Sequence, residues 1–320
     1  NNRRKFFKSL GLLSATALVG GLHPKNSLAK TKIKWKMVTS WPKNFPGLGA
    51  GAETLAGYIN KLSGGSLEVK VFGANELVPP LGVFDFVSSG GAEMGHSGAY
   101  YWKGKTEAAQ FFSSVPFGMT AQEMNSWLYY GDGIKLWEEV YESFNLIPRP
   151  AGNTGVQMGG WFNKEINTTN DLKGLKMRIP GLGGEVLARA GGTPFTLAGA
   201  EIFTSLQTGV IDATEWVGPY NDRAFGLHKA AKYYYYPGWH EPGPSLECII
   251  NKDAYNSLSD QHKSIIDIAC KAANVDMISD YMAKNYQALE FFKREKVQIK
   301  QFPAEVLSTL NKISDEILLE

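Results

Sequence analysis

Cysteine is nearly absent: Cys248 and Cys270 are the only two in 320 residues, too few to scaffold a chain of this length with disulfides. Both fall in apolar patterns, one strand-like and one helical, and they read as buried free thiols. Histidine is sparse as well, and the five (His23, His96, His228, His240, His262) show no metal-ligand spacing. Catalytic signatures are missing: there is no GxSxG elbow, HExxH, P-loop or CxxC. Long apolar runs are absent except for one at the start, which excludes a polytopic membrane protein. Beyond residue 29 there are 28 basic and 31 acidic side chains. A mildly acidic body with no basic stripe argues against nucleic-acid binding. No repeat of 20–50 residues and no low-complexity stretch occurs, which sets aside solenoids and propellers.

What is there begins with a leader. Residues 1–29 hold Arg3, Arg4, Lys5, Lys8 and Lys25 and no acidic residue. A basic start, an apolar stretch from Leu10 to Leu22 and the small residues of Ser27-Leu28-Ala29 describe an export signal peptide. Arg3-Arg4 followed by Phe6-Phe7-Lys8 gives it the look of a twin-arginine signal. A periplasmic location is therefore expected. The chain lacks an initiator Met and ends inside a helical pattern, so a fragment at one or both ends is expected too.

From residue 33 onward short strands alternate with helices. "IKWKMVT" (33–39), a helix over 50–65 stopped by Gly64-Gly65, and "LEVKVF" (67–72) open the pattern. Residues 83–98 repeat the helix-then-strand step, and two helices follow near 120–130 and 133–143. From Asn153 the pattern restarts with strands "GVQMGGWF", "LKMRIP", "TPFTL" and "IDATEW" interleaved with helices. "SLECIIN" (245–251) returns to the first unit, 259–294 forms a long helical pattern, and "VQIKQF" precedes a last helix. This alternation predicts an α/β fold built on parallel sheets. Two lobes are expected, 30–152 with 246–320 and 153–245, sharing a ligand cleft and spanned by long helices.

Several polar residues suit such a cleft. Arg178 projects from the strand end "KMRIP", where a guanidinium can fork a carboxylate; a surface ion pair is the plain alternative. Glu215-Trp216 follows "IDAT" at a strand's carboxyl end, where α/β ligands sit. "GWHEPG" (238–243) carries Trp239, His240 and Glu241 in a loop, and "GAYYWKG" (98–104) carries Tyr100 and Tyr101. Asn153 and Gln157 stand among glycines that let backbone approach a ligand. Two acids, two amides and an Arg among aromatics describe a pocket for a small carboxylate, with oxygen donors suited to Na⁺, Ca²⁺ or Mg²⁺. "GLGGE" (181–185) reads as a tight turn into a helix, not a dinucleotide turn.

Five strings, "PFGMTAQEMNSWLYYG" (116–131), "DLKGLKMRIPG" (171–181), "GGEVLARAGGTP" (183–194), "EIFTSLQTGVIDATEW" (201–216) and "HKAAKYYYYPGWHEPG" (228–243), carry a resemblance. Together they resemble the extracytoplasmic solute-binding subunit of tripartite ATP-independent periplasmic (TRAP) transporters, in particular the receptors for 2-oxo acids such as pyruvate and for lactate. The resemblance implies a two-lobed periplasmic binding protein, not an enzyme, that closes over a small organic acid anion and delivers it to TRAP membrane permease subunits. It implies that Arg178 clamps the carboxylate, and that Gln157, Glu215, the Trp216 carbonyl and Glu241 chelate a metal cation, Na⁺ or Ca²⁺. Asn153 and Tyr101 or Tyr100 would complete the carboxylate's hydrogen bonds. Some relatives dimerise by exchanging a C-terminal helix, so a homodimer is compatible with it. With Glu215, Glu241 and the ligand at −1 each, Arg178 alone leaves −2, which Ca²⁺ brings to zero and Na⁺ to −1. The alternative function is an exported α/β enzyme acting on 2-oxo or hydroxy acids, which needs a general base or cofactor that the sequence does not display.

Overall fold

The computed structural model describes residues 32–320; the expected export signal and its cut lie outside them. Among the described residues the strands are β1 (Ile33–Thr39), β2 (Leu67–Phe72), β3 (Met94–Ser97), β4 (Leu146–Asn153), β5 (Gly160–Phe162), β6 (Lys176–Arg178), β7 (Thr193–Phe195), β8 (Ala213–Thr214), β9 (Tyr233–Tyr236), β10 (Ser245–Asn251) and β11 (Gln298–Gln301). They form a five-stranded sheet, β2-β1-β3-β10-β4, and a six-stranded one, β11-β9-β5-β8-β6-β7.

The first sheet starts as the pattern predicts. In β1, Trp35 and Met37 enter the core, and β1 pairs in parallel with β2 and β3. Helix Leu48–Leu62 crosses between β1 and β2 and buries Leu55, Ala56 and Ile59. Gly64 and Gly65, both at positive φ (61° and 79°), turn the chain out of that helix. Cys248 and Cys270 are free and buried in the apolar cluster beneath this sheet.

Three expectations need correction. The sheets are mixed, not parallel: β10 runs antiparallel to β3 and β4, and β5 antiparallel to β8 and β9. The cause is topological, because the chain leaves the first sheet along β4 and comes back beside it along β10. The strands "GVQMGGWF" and "IDATEW" shrink to Gly160–Phe162 and Ala213–Thr214, with irregular backbone around Gln157 and after Thr214. Residues 298–320 do not stay with the first sheet. Helix Asp260–Arg294, at 35 residues roughly 50 Å long, carries the chain back, and β11 then pairs in parallel with β9.

A large apolar cluster joins the halves. It takes Trp41, Phe45 and Leu48 from the first, Trp161, Trp216 and Tyr234 from the second, and Met277, Tyr281 and Phe292 from the long helix. Such a shared layer holds two sheets at a common cleft, and the polar residues singled out above gather at its edge.

Candidate functional site

Arg178 is the last residue of β6, and Met177 before it points into the apolar core. Strand alternation therefore sends Arg178 to the opposite face. Glu215 directly follows β8, the parallel neighbour of β6, and its N–H donates to the Arg178 carbonyl at 3.1 Å. Both side chains thus emerge at the carboxyl ends of adjacent parallel strands, where open α/β sheets place ligands.

The two are almost wholly buried, at 1% and 0% exposure, and Arg178 Nη1 donates to Glu215 Oε1 as an ion pair. Arg178 Nε donates to the Leu197 carbonyl at 3.2 Å and Nη2 to the Tyr101 hydroxyl at 3.1 Å. Its guanidinium carbon lies 5.0 Å from the centre of the Trp216 ring. Burial, the largest single influence, pushes the guanidinium down, but Glu215 together with Tyr101, Tyr100 and Glu241 offsets it and holds the group above its ordinary value.

Two loops bring the remaining donors. The backbones of 157–158 and 238–241 are joined by Gly238 N–H to the Gln157 carbonyl (3.1 Å) and Gln157 N–H to the Glu241 carbonyl (3.3 Å). The approach is close enough that a Cβ on Gly238 would lie 2.2 Å from the Gln157 carbonyl oxygen, so only glycine fits. This zipper aligns the side chains, and Gln157 Nε2 donates to Glu241 Oε2 at 2.7 Å. The other end of that amide, Gln157 Oε1, is buried without a partner. Glu241 is held well above the usual carboxylate range, by burial first and by the Glu215 charge second.

Tyr100 and Tyr101 arrive from the first half on the single turn Ala99–Trp102 that follows β3. Tyr100 packs over Gly181, where a Cβ would meet its own at 2.9 Å, and burial raises both phenols. Asn153 ends β4. Its Nδ2 donates to the Gly243 carbonyl (3.0 Å) and its Oδ1 accepts from Gly155 N–H (2.8 Å), which leaves one amide hydrogen for another partner. Arg178, Glu215, Trp216, Gln157, Glu241 and the tyrosines therefore converge, with Asn153 shaping the loop at their side.

His240 was not among the expected site residues, yet its Nε2 sits 3.3 Å from Glu215 Oε2. Ligand atoms of Glu215, His240 and Glu241 all lie within 4.8 Å of one another, and all three residues are buried. The signal was one residue away in "WHEPG", but nothing in the spacing placed it against Glu215. Two buried carboxylates, an unsatisfied amide oxygen and one guanidinium make a donor set that fits a hard cation together with a small carboxylate.

Proteins similar to this chain have been solved with a cation and a small carboxylate bound together. The model of the bacterial extracellular solute-binding protein family 7 (DctP) matches residues 37–320. The monocarboxylate 2-oxoacid-binding periplasmic protein of Nostoc sp. (strain PCC 7120) is 44% identical over 322 residues, spanning 99% of this chain and 88% of its own. A TRAP periplasmic solute-binding protein from Colwellia psychrerythraea, solved with bound calcium and pyruvate, is 46% identical with a TM-score of 0.87. One from Pseudoalteromonas atlantica T6c, solved with bound sodium and pyruvate, is also 46% identical with a TM-score of 0.88. Each of these two alignments covers 90% of this chain and 88% of the other. By family match, identity and fold, the chain belongs to the bacterial extracellular solute-binding protein family 7, the DctP receptors of TRAP transporters, which bind solutes and are not enzymes.

Proposed function

We propose that this protein captures a small 2-oxo or 2-hydroxy monocarboxylate, of which pyruvate is representative, together with Na⁺ or Ca²⁺, and hands it to a TRAP permease. The buried meeting of Arg178 with Glu215, Glu241 and Gln157 carries the reading, supported by relatives solved with pyruvate and either cation. Arg178 grips the acid's carboxylate, and Tyr101, Tyr100 and Asn153 complete its hydrogen bonds. Gln157 Oε1, Glu215, the Trp216 carbonyl and Glu241 hold the cation, while His240 steadies the second oxygen of Glu215. A bound cation supplies the positive charge that lets two carboxylates and an anionic ligand share a desolvated cleft. A 2-oxo or 2-hydroxy acid suits it because its carboxylate and neighbouring oxygen form a five-membered chelate.

Arg178→Ala tests the assignment. Removing one partner of a desolvated charge pair should weaken pyruvate binding by ~2–5 kcal/mol, about 30- to several-thousand-fold, in calorimetry. Unchanged affinity in a folded variant would take Arg178 out of the site.

The family is extracytoplasmic, and among the described residues no helix is long and apolar enough to cross a membrane. For the route we propose twin-arginine export, because Arg3-Arg4 stands before the apolar stretch. Replacing both by Lys keeps the charge and should block export, as followed by fractionation. Normal export of that variant would assign the leader to the general secretory route.

A further inference from the structure

We infer that Glu215 gates Arg178, so that the fork accepts an acid only once a cation has drawn Glu215 away. The inference rests on the cation-and-acid reading above and concerns the order in which the two are admitted.

Every nitrogen of the Arg178 guanidinium is already engaged: Nε with the Leu197 carbonyl, Nη1 with the Glu215 carboxylate and Nη2 with the Tyr101 hydroxyl. The ion pair is sealed from solvent, with the two side chains 1% and 0% exposed. A ligand carboxylate seeking the same Nη1 edge would meet the Glu215 carboxylate at hydrogen-bond range in a cleft without water to screen them. Glu215 has few other partners. His240 Nε2 touches its far oxygen at 3.3 Å, and a Glu241 oxygen lies within 4.8 Å of the same cluster without bonding it. A cation lodged between Glu215, Glu241 and the unpartnered Gln157 Oε1 supplies the missing partner. Glu215 then exchanges Arg178 for the cation, and Arg178 is released to the acid. The pair thereby acts as a specificity device: the carboxylate alone does not open the fork, whereas an acid that arrives with a cation satisfies both residues. By linkage, the acid must strengthen cation binding by the same factor that the cation strengthens acid binding.

The test titrates pyruvate into the protein in excess chelator, comparing wild type with Glu215→Gln and Glu241→Gln. Both substitutions remove one carboxylate from the same cluster, but only Glu215 engages Arg178. The gate predicts that Glu215→Gln binds pyruvate at least about 10-fold more tightly than wild type in chelator and ignores added Ca²⁺ or Na⁺. Glu241→Gln keeps the Glu215–Arg178 pair and should gain clearly less than Glu215→Gln in chelator. No gain in Glu215→Gln, or an equal gain in both variants, overturns the gate.

If Glu215→Gln fails to fold, the order of mixing decides with wild type. Protein preloaded with Ca²⁺ should take up pyruvate without a lag, and preloading with pyruvate should not hasten the response to Ca²⁺. Equal acceleration from either preload overturns the gate. Cation-dependent pyruvate binding by wild type with no gain in Glu215→Gln removes the gate and leaves the proposed function standing. Wild type that binds pyruvate under neither condition removes the proposed function and the gate with it.

Discussion

Glu247 stands on β10 at 0% exposure, receiving the Trp102 indole N–H and, at 2.9 Å, the Tyr141 hydroxyl. Burial pushes its carboxyl up to about 7 in spite of these two donors. An unfolded chain releases that proton near pH 4, so between the two values the folded state binds the extra proton. Its contribution is therefore full at low pH and is lost as pH rises through 7, up to about 3 kcal/mol. Glu247→Gln, which mimics the protonated form, should match wild type only below about pH 4, pull ahead as pH rises from there, and exceed it by up to about 3 kcal/mol at pH 8. Urea midpoints across pH measure the gap. Because His96, pushed down to about 4 by burial, slopes the other way, the difference between the two proteins is the informative quantity. A gap that does not change with pH would contradict the assignment. The site was legible at this scale where chemistry was unusual: a lone Arg at a strand end, and acids beside Trp216 and in "HEPG". His240 was not, because its approach to Glu215 depends on the fold of a loop and on no local pattern.

Among the elements, the long helix was read almost to its ends. Ser259 caps it, its Oγ accepting from His262 N–H at 3.3 Å, and buried residues recur along its length. Strands β1 and β2 were equally plain, since apolar and polar residues alternate along them. The tyrosine run that forms β9 was not recognised as a strand. Four identical residues offer no alternation, and its place is fixed by neighbours far away in the chain, with Tyr234 stacked on Trp161 at 4.0 Å between ring centres. The stretch 154–159 misled in the opposite sense. Its apolar residues suggest a strand, but its backbone partners the 235–241 segment irregularly, bringing Gln157 to Glu241. Gly238→Ala probes that junction. A methyl 2.2 Å from a backbone carbonyl forces the loops apart. The variant should lose about 1–3 kcal/mol of stability in thermal or urea unfolding and also bind pyruvate more weakly. Wild-type values for both would show that the loops are not locked together here.

Across the whole molecule, the two halves meet through more than the apolar layer. Glu185 on helix Gly181–Arg189 reaches Lys103 (2.7 Å) and Gln110 (3.2 Å) of the first half. On another edge, Asn221 donates to the Pro46 carbonyl at 2.8 Å and accepts from the Tyr281 hydroxyl at 2.7 Å. The return of 298–320 to the second sheet adds a further tie that local pattern could not reveal, because strand order is a long-range property. These contacts enclose the buried cluster of Arg178, Glu215 and Glu241, which on the proposed reading takes its acid together with a cation. The most direct measurement is calorimetric titration of pyruvate, with propionate in parallel, into protein stripped by chelator and then resupplied with Ca²⁺ or Na⁺. The account predicts weak pyruvate binding without metal, a gain of at least about 10-fold on restoring a cation, and little gain for propionate, which lacks the second oxygen. Full-strength pyruvate binding by the metal-free protein would contradict it.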